Sequence, residues 1–375
     1  MTGRALVVTG SRADFGLYLP VMVAMRTAGI SAEWLVTAMH LDAHAGLTVD
    51  AVRDSSFPIA AEVPCSPPDD SRGGMAASIG MAISGMVQPL AVWGSGWVLL
   101  LGDRGEQLAA AIVATHLGMP IAHLHGGERT FGAVDDVIRD LVSRMAHLHL
   151  VATPDAASRL VDLGEDRSRI HQVGAPGLDD LVELAKTDPA EVRARYGLPA
   201  SGPFLLVVQH AETRADRDAG SDMAETLDAI GVIGLPALIV LPNTDAGGAA
   251  IRARLNNAGV ATVPSVPRSD YAVLLRSAAA LVGNSSSGII EAPLVGTPAV
   301  NIGARQAGRT RGDNVIEVAP NAASISEGIR RAVDPAFRSG LSGRSPYGDG
   351  RASERVAGLL AATPIDERLL LKIPG

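Results

Sequence analysis

The stretch that decides the fold reads Ile121-Ala-His-Leu-His-Gly-Gly-Glu-Arg-Thr-Phe-Gly-Ala-Val-Asp-Asp-Val-Ile-Arg139. A short apolar run leads into two His, a Gly-Gly turn, a Glu, an Asp pair and an Arg. Apolar residues flank it, with Met119 and Pro120 before and Leu141, Val142 and Met145 after. This is the pattern of a buried strand leaving a sheet through a turn and passing into a helix. Ionisable groups at such density are costly beside a core unless they carry chemistry.

Working outward, short apolar runs alternate with helical stretches. Strands are expected at 5–9, 32–37, 98–101, 121–125 and 147–152, with helices near 17–28, 75–88, 105–116 and 134–145 between them. The second half repeats the scheme, with strands at 204–208, 237–241, 261–263, 280–282 and 299–301. Its helices are expected near 221–230, 246–258, 271–276 and 288–295. Apolar strands separated by helices predict parallel sheets covered on both faces. The expected fold is α/β, with two Rossmann-like doubly wound domains facing a cleft. Domain boundaries are expected at 1–175 and 176–375, with the last helix a candidate for packing back on the N-terminal domain. The linker is read at 173–180, followed by a polar helix to about Tyr196. In open α/β sheets ligands sit at the carboxyl ends of the strands.

A chain of 375 residues with 47% hydrophobic content builds sizeable cores easily. Aromatics at 3% argue against base-stacking platforms. A net charge of −8 without a Lys/Arg run argues against nucleic acid and anionic membranes. The single cysteine, Cys65, excludes an internal disulfide framework and a cysteine zinc site. A cytoplasmic setting is expected. The N-terminus does not read as a signal peptide, and Trp93–Leu101 is too short to span a membrane and reads as a buried strand.

Five further constellations point to a site. Thr9-Gly-Ser-Arg-Ala-Asp-Phe-Gly16 follows the first strand, where free N–H groups and Arg12 suit an anion; the plain alternative is an ordinary turn with an exposed Arg. Gly283-Asn-Ser-Ser-Ser-Gly-Ile-Ile-Glu291 follows another apolar strand and opens a helix. Ser285, Ser286 and Ser287 would form a phosphate cradle and Glu291 would accept ribose hydroxyls; a simple N-cap is the alternative. Asn301–Arg311 holds three Arg and two Gly after a strand, either a loop over an anion or a solvated basic loop. His210 ends one strand, and Asn243 and Asp245 end the next. Asp103 lies just past the strand 98–101, as a site carboxylate or as an N-cap. The pairs His123/His125 and His147/His149 place two rings on one strand face. No matching third ligand supports a metal there, and neither a metal nor another cofactor is expected.

Taken together, these segments resemble the UDP-N-acetylglucosamine 2-epimerase family, and most closely its hydrolysing bacterial branch, which forms N-acetylmannosamine for sialic-acid-type sugars. The segments are 8–16, 37–41, 101–104, 123–139, 284–291, 301–309 and 345–354, almost end to end. The resemblance implies a GT-B-type pair of Rossmann domains. It implies uridine diphosphate contacts from Arg12, His210, Ser285, Ser286, Glu291 and Arg309. It also implies a catalytic cluster of Asp103, Asp135 and Arg139, with His40 and His123 nearby. Many relatives carry Glu where this chain has His125, whereas the hydrolysing branch often shows His-x-His-Gly-Gly-Glu, as here, so Glu128 shares that task. Two departures are Gly105, where an aromatic is usual, and Ala211, where Pro is usual.

The implied reaction eliminates uridine diphosphate across C1–C2 and hydrates the product. Asp103 and the Asp135/Glu128 region are expected to share the acid and base roles, Arg139 to orient Asp135, and Arg12 and Arg309 to supply charge for the diphosphate. The substrate is expected to be UDP-N-acetylglucosamine, or else UDP-N,N'-diacetylbacillosamine on the legionaminic acid route. A glycosyltransferase and a non-enzymatic nucleotide-sugar sensor are the competing readings. A homodimer or homotetramer is expected from the resemblance.

Overall fold

The computed structural model describes residues 3–42, 48–69, 71–129, 134–212, 218–242, 248–256 and 258–373. They form two compact units. One comprises Met1–Arg129, Ala133–Asp179 and Gly350–Gly375; the other holds Asp180–Asp349.

The first unit is a seven-stranded parallel sheet. Its strands are β1 (Arg4–Thr9), β2 (Ser31–Thr37), β3 (Ile59–Val63), β4 (Trp97–Leu101), β5 (Ile121–Leu124), β6 (Leu148–Val151) and β7 (Ile170–Gln172), in the order β3-β2-β1-β4-β5-β6-β7. The second unit is a six-stranded parallel sheet of β8 (Leu205–Val208), β9 (Ala237–Val240), β10 (Ala261–Val263), β11 (Ala280–Gly283), β12 (Ala299–Ile302) and β13 (Val315–Val318), in the order β10-β9-β8-β11-β12-β13. The fold is α/β, with two Rossmann-like doubly wound units of the GT-B type.

Continuous apolar strands arise because both faces of each sheet are covered. Along β1, Ala5 and Val7 enter the core beneath helix Arg12–Thr27, while Leu6 and Val8 enter the opposite core with Met86 and Leu90. Along β8, Leu205 and Val207 face one core and Leu206 and Val208 the other. The two-residue period of a strand thus feeds two cores from one segment.

After the second unit the chain returns to the first. Val356, Ala357 and Leu360 of helix Ala352–Ala362 join the core of Tyr18, Val21, Met22 and Met25, and the Trp97 indole N–H donates to the Leu360 carbonyl at 3.2 Å. The tail is fixed by Arg169, whose guanidinium donates to the carbonyls of Leu369, Arg368 and Ile373. Trp93 belongs to helix Arg72–Trp93 and not to the strand read at 93–101. Gly96, at φ +145, makes the turn between them, where a Cβ would press on the Arg4 carbonyl. No charged residue lies within 73–93, and Gly73–Trp93 is long and apolar enough to cross a membrane by length and composition alone. Within the fold this helix packs on β3 and on helix Gly105–His116.

Both strand orders reverse once, between β1 and β4 and between β8 and β11. A crevice opens at such a point, outside the carboxyl ends of the two strands. The candidate residues follow those strand ends.

Candidate functional site

In the first unit, β1 runs into Gly10, Ser11 and Arg12. Ser11 caps helix Arg12–Thr27, and Asp14 closes the reciprocal capping box. The Asp14 carboxylate accepts from the Thr9 hydroxyl at 2.6 Å and from the Gly10 and Ser11 amides at 3.0 Å. Burial, reinforced by the charge of Glu106, lifts Asp14 to about 6 against those hydrogen bonds. The Thr9 hydroxyl also meets His40 Nε2 at 3.0 Å, and the Thr48 hydroxyl meets His40 Nδ1 at 2.8 Å. His40 is fully buried, and burial lowers its pKa. Gly10 is required because a Cβ there would collide with the Glu106 carboxylate, itself held by Arg104 Nε at 2.6 Å. Arg12 stands exposed on the first helical turn. Gln107 braces the reversal point, accepting from the Leu101 amide and donating to the Val8 carbonyl.

Asp103 follows β4. It does not cap the next helix, whose N-cap is Arg104. Its carboxylate instead accepts a short bond from Arg139 Nη2. Arg139 is 2% exposed and donates through Nη1 to the Glu128 carbonyl at 2.7 Å and to Asp136 at 2.9 Å. One guanidinium therefore gathers two carboxylates and the turn after β5. Asp135, singled out from the sequence, stands exposed on the first turn of helix Val134–Met145; the structure adds its neighbour Asp136 to the cluster.

The Gly-Gly turn has steric causes. A Cβ on Gly126 would press on the His123 ring and the Ser143 hydroxyl. Gly127 sits at φ +77, where a Cβ would collide with the Ala156 carbonyl. His123 is fully buried: Nε2 donates to the Gly102 carbonyl at 2.8 Å, and Nδ1 accepts from the Ser143 hydroxyl at 3.0 Å. Burial drives its pKa down to about 3. Expected near the catalytic cluster, His123 holds the β4 and β5 turns together as a neutral ring. His125 differs. Its backbone is left-handed, at φ +59, a strain of about 1–3 kcal/mol that persists only where the surroundings impose it. Its Nδ1 meets Glu128 Oε1 at 2.6 Å.

The second pair of His residues serves the core. His147 Nδ1 accepts from the Ile121 amide, and His149 Nε2 meets Glu165 at 3.2 Å. No group of three or more potential metal ligands lies among the described residues.

In the second unit, Gly283 ends β11 at φ +136, where a Cβ would overlap the Val208 carbonyl. Asn284 then locks two loops: its Oδ1 accepts from the His210 amide at 2.8 Å and its Nδ2 donates to the His210 carbonyl at 2.9 Å. Its own carbonyl accepts from Gln306 at 2.9 Å and from Arg305 at 3.1 Å, which ties in the loop that carries Arg309. Ser285 and Ser286 are half-buried; Ser287 is buried and accepts from the Tyr271 hydroxyl at 2.7 Å. The helix they open is a single turn, Ser287–Ile290. Glu291 receives Arg268 Nη1 at 2.9 Å, and Arg268 also grips Asp180. A small polar cleft lined by Gln209, His210, Glu212, Asp222 and Asn284 adjoins the reversal point. Asn243 lies outside the described residues.

Sequence reading missed Asp136, Asn284, Gln306 and Arg268. Only Asp136 carried a local signal, three residues before Arg139 on one helix.

The sequence model described as UDP-N-acetylglucosamine 2-epimerase matches residues 24–361. The chain belongs to the UDP-N-acetylglucosamine 2-epimerase family. Within this family it is 35% identical to the UDP-N,N'-diacetylbacillosamine 2-epimerase (hydrolyzing) of Legionella pneumophila, over 99% of both chains. It is 31% identical to the UDP-N-acetylglucosamine 2-epimerase of Neisseria meningitidis serogroup B, over 88% of this chain and 87% of that protein. Its fold is similar to the crystal structure of the Neisseria meningitidis UDP-GlcNAc 2-epimerase bound to UDP-GlcNAc. The TM-score is 0.83 at 17% identity, covering 96% of this chain and 100% of the other. In this epimerase-family chain Asp103 and Glu128, past the ends of β4 and β5, meet helix residue Arg139 in one hydrogen-bonded cluster.

Proposed function

We propose that the protein is a hydrolysing 2-epimerase acting on an N-acetylated UDP-hexosamine. The observation that carries this reading is the Arg139 knot. It fixes Asp103 against the turn bearing the His125–Glu128 pair, so several proton-transfer groups meet at neighbouring strand ends. A sugar transferase has no use for that concentration, since its work is to admit an acceptor. A nucleotide-sugar sensor would keep Ser285–Glu291 and need no Asp103.

In the reaction, a base removes the C2 proton. The C–H electron pair forms the C1=C2 bond while the C1–O bond breaks and its pair leaves with uridine diphosphate. The unsaturated sugar takes a proton at C2 from the other face, and water adds at C1. The C2 proton is weakly acidic, so the base must be close and partly desolvated. His210, Ser285, Ser286, Glu291 and Arg309 are proposed to hold uridine diphosphate, with Arg12 adding positive charge for the departing phosphate. Arg268 holds one oxygen of Glu291, leaving the other for ribose hydroxyls. His40 and His123 support the strand ends.

Whole-length identity to the Legionella relative favours the di-N-acetylated sugar, and UDP-N-acetylglucosamine is the second substrate to test. Incubation with each sugar in heavy water decides the matter. Release of free uridine diphosphate together with a 2-epimeric sugar deuterated at C2 supports the reading. Absence of both with both sugars sinks it.

A further inference from the structure

We propose that His125 is the catalytic residue that takes the C2 proton, and that Glu128 is the residue that positions it. The proposal rests on the hydrolysing-epimerase reading above and assigns a role which that reading leaves shared among several groups.

The argument begins with the backbone. β5 ends at Leu124, and His125 bends away from the strand at φ +59, where residues with a Cβ are uncommon. In a continued strand, His125 would share the face of His123, whose ring is fully buried. The bend breaks that alternation. Strain of this kind gathers where a side chain must be aimed.

The ring chemistry follows. Glu128 Oε1 lies 2.6 Å from Nδ1. An ionised carboxylate only accepts, so Nδ1 carries the proton and the neutral ring keeps its lone pair on Nε2. That Nε2 is enclosed and has no hydrogen-bond partner among the described residues. A buried nitrogen left so is unfavourable, and a substrate hydrogen is what it lacks. His123, two residues earlier, shows the contrast, with both nitrogens bonded inside the fold.

Three of the neighbouring carboxylates, Asp103, Asp136 and Glu128, already hold partners inside the fold. Arg139 donates to both Asp103 and Asp136, which occupies an oxygen of each carboxylate. Glu128 spends one oxygen on the imidazole and is buried. In the proposed step Nε2 accepts the C2 proton, the C–H pair becomes the C1=C2 bond, and the C1–O pair departs with the diphosphate. The resulting imidazolium is neutralised by Glu128 and later returns its proton to water. Protonation of the other face falls to a different group.

Two measurements test this. Nitrogen NMR of histidine-labelled free protein reads the tautomer, with the His125 resonances assigned by their loss in H125Q. The expected result is a protonated Nδ1 and a bare Nε2. Steady-state kinetics with ordinary and C2-deuterated substrate then compare wild type, H125Q and E128Q. H125Q should lose about 10²–10⁴ in kcat while binding uridine diphosphate as wild type does, which also shows that it folds. E128Q should lose about tenfold or more in kcat at nearly unchanged KM, with a larger isotope effect at C2. If the wild type turns over but carries its proton on Nε2, or if H125Q keeps kcat within about tenfold, the assignment is overturned and the epimerase reading stands. If the wild type releases uridine diphosphate from no N-acetylated UDP-hexosamine, the reading falls and the assignment with it.

Discussion

Arg139 binds the Asp103 carboxylate through one amino group and the main-chain oxygen of Glu128 through the other. The helix after β5 thereby holds the turns that follow β4 and β5 in one geometry. Its guanidinium is almost wholly buried, so its charge is balanced by Asp103 and Asp136 and not by water.

Replacing Asp103 with Asn keeps the shape and removes the charge. Turnover should be abolished while uridine diphosphate affinity, measured by calorimetry, stays within about threefold. A large loss of affinity would place Asp103 in the nucleotide site.

Arg139→Gln should act on stability as well as activity. It leaves two carboxylates without their shared cation, so a loss of roughly 3–5 kcal/mol is expected in urea unfolding, together with a fall in kcat. An unchanged unfolding midpoint would refute the structural part of its role.

Asn284→Ala removes both bonds that fix the His210 backbone. Uridine diphosphate affinity should fall by about tenfold, or ~1.4 kcal/mol, with kcat less affected. A titration with uridine diphosphate alone reads this. Equal loss in kcat and affinity would argue against a purely nucleotide-side role.

Gly127→Ala combines a left-handed backbone with a collision against the Ala156 carbonyl. A destabilisation of roughly 2–4 kcal/mol is expected by thermal or urea unfolding. A neutral result would mean that the turn relaxes freely.

Acid should unfold the protein early. His123 and His147 are buried neutral, at about 3 and 4, against the ordinary 6.5. Their unfolded forms bind a proton that the folded forms refuse. Their contribution is therefore complete above about pH 6.5 and is lost progressively as pH falls towards 3–4. Asp14, raised to about 6, works the other way between its ordinary 3.8 and 6, since the folded form there binds the extra proton. Glu165 adds a further loss below 4.5: although burial opposes it, His149 and Lys372 hold it down at about 2. The two histidines outweigh the single Asp14, so urea midpoints should decline steadily below pH 6.5. A flat profile from pH 7 to 4.5 would contradict the buried neutral rings.

The central strands were legible because burial on both faces writes a continuous apolar run, as in Trp97–Leu101 and Leu205–Val208. The three strands not read, β3, β7 and β13, lie at sheet edges, where Glu62, His171 and Glu317 interrupt the pattern because one side of the strand is less covered. Helix Arg12–Thr27 begins five residues ahead of the expected Leu17 because Ser11 and Asp14 cap it reciprocally, a local device that outweighs the apolar spacing.

By itself, then, the sequence determined the alternation of strand and helix, the family, and the strand ends where chemistry gathers, because those are properties of neighbouring residues. The tertiary structure decided the rest. It turned His123 into a neutral buried brace and set His125 in a left-handed bend. It brought Asp103 to Arg139 across 36 positions and Asn284 to His210 across 74. Such partners are chosen by strand order and by burial. Spacing along the chain carries neither.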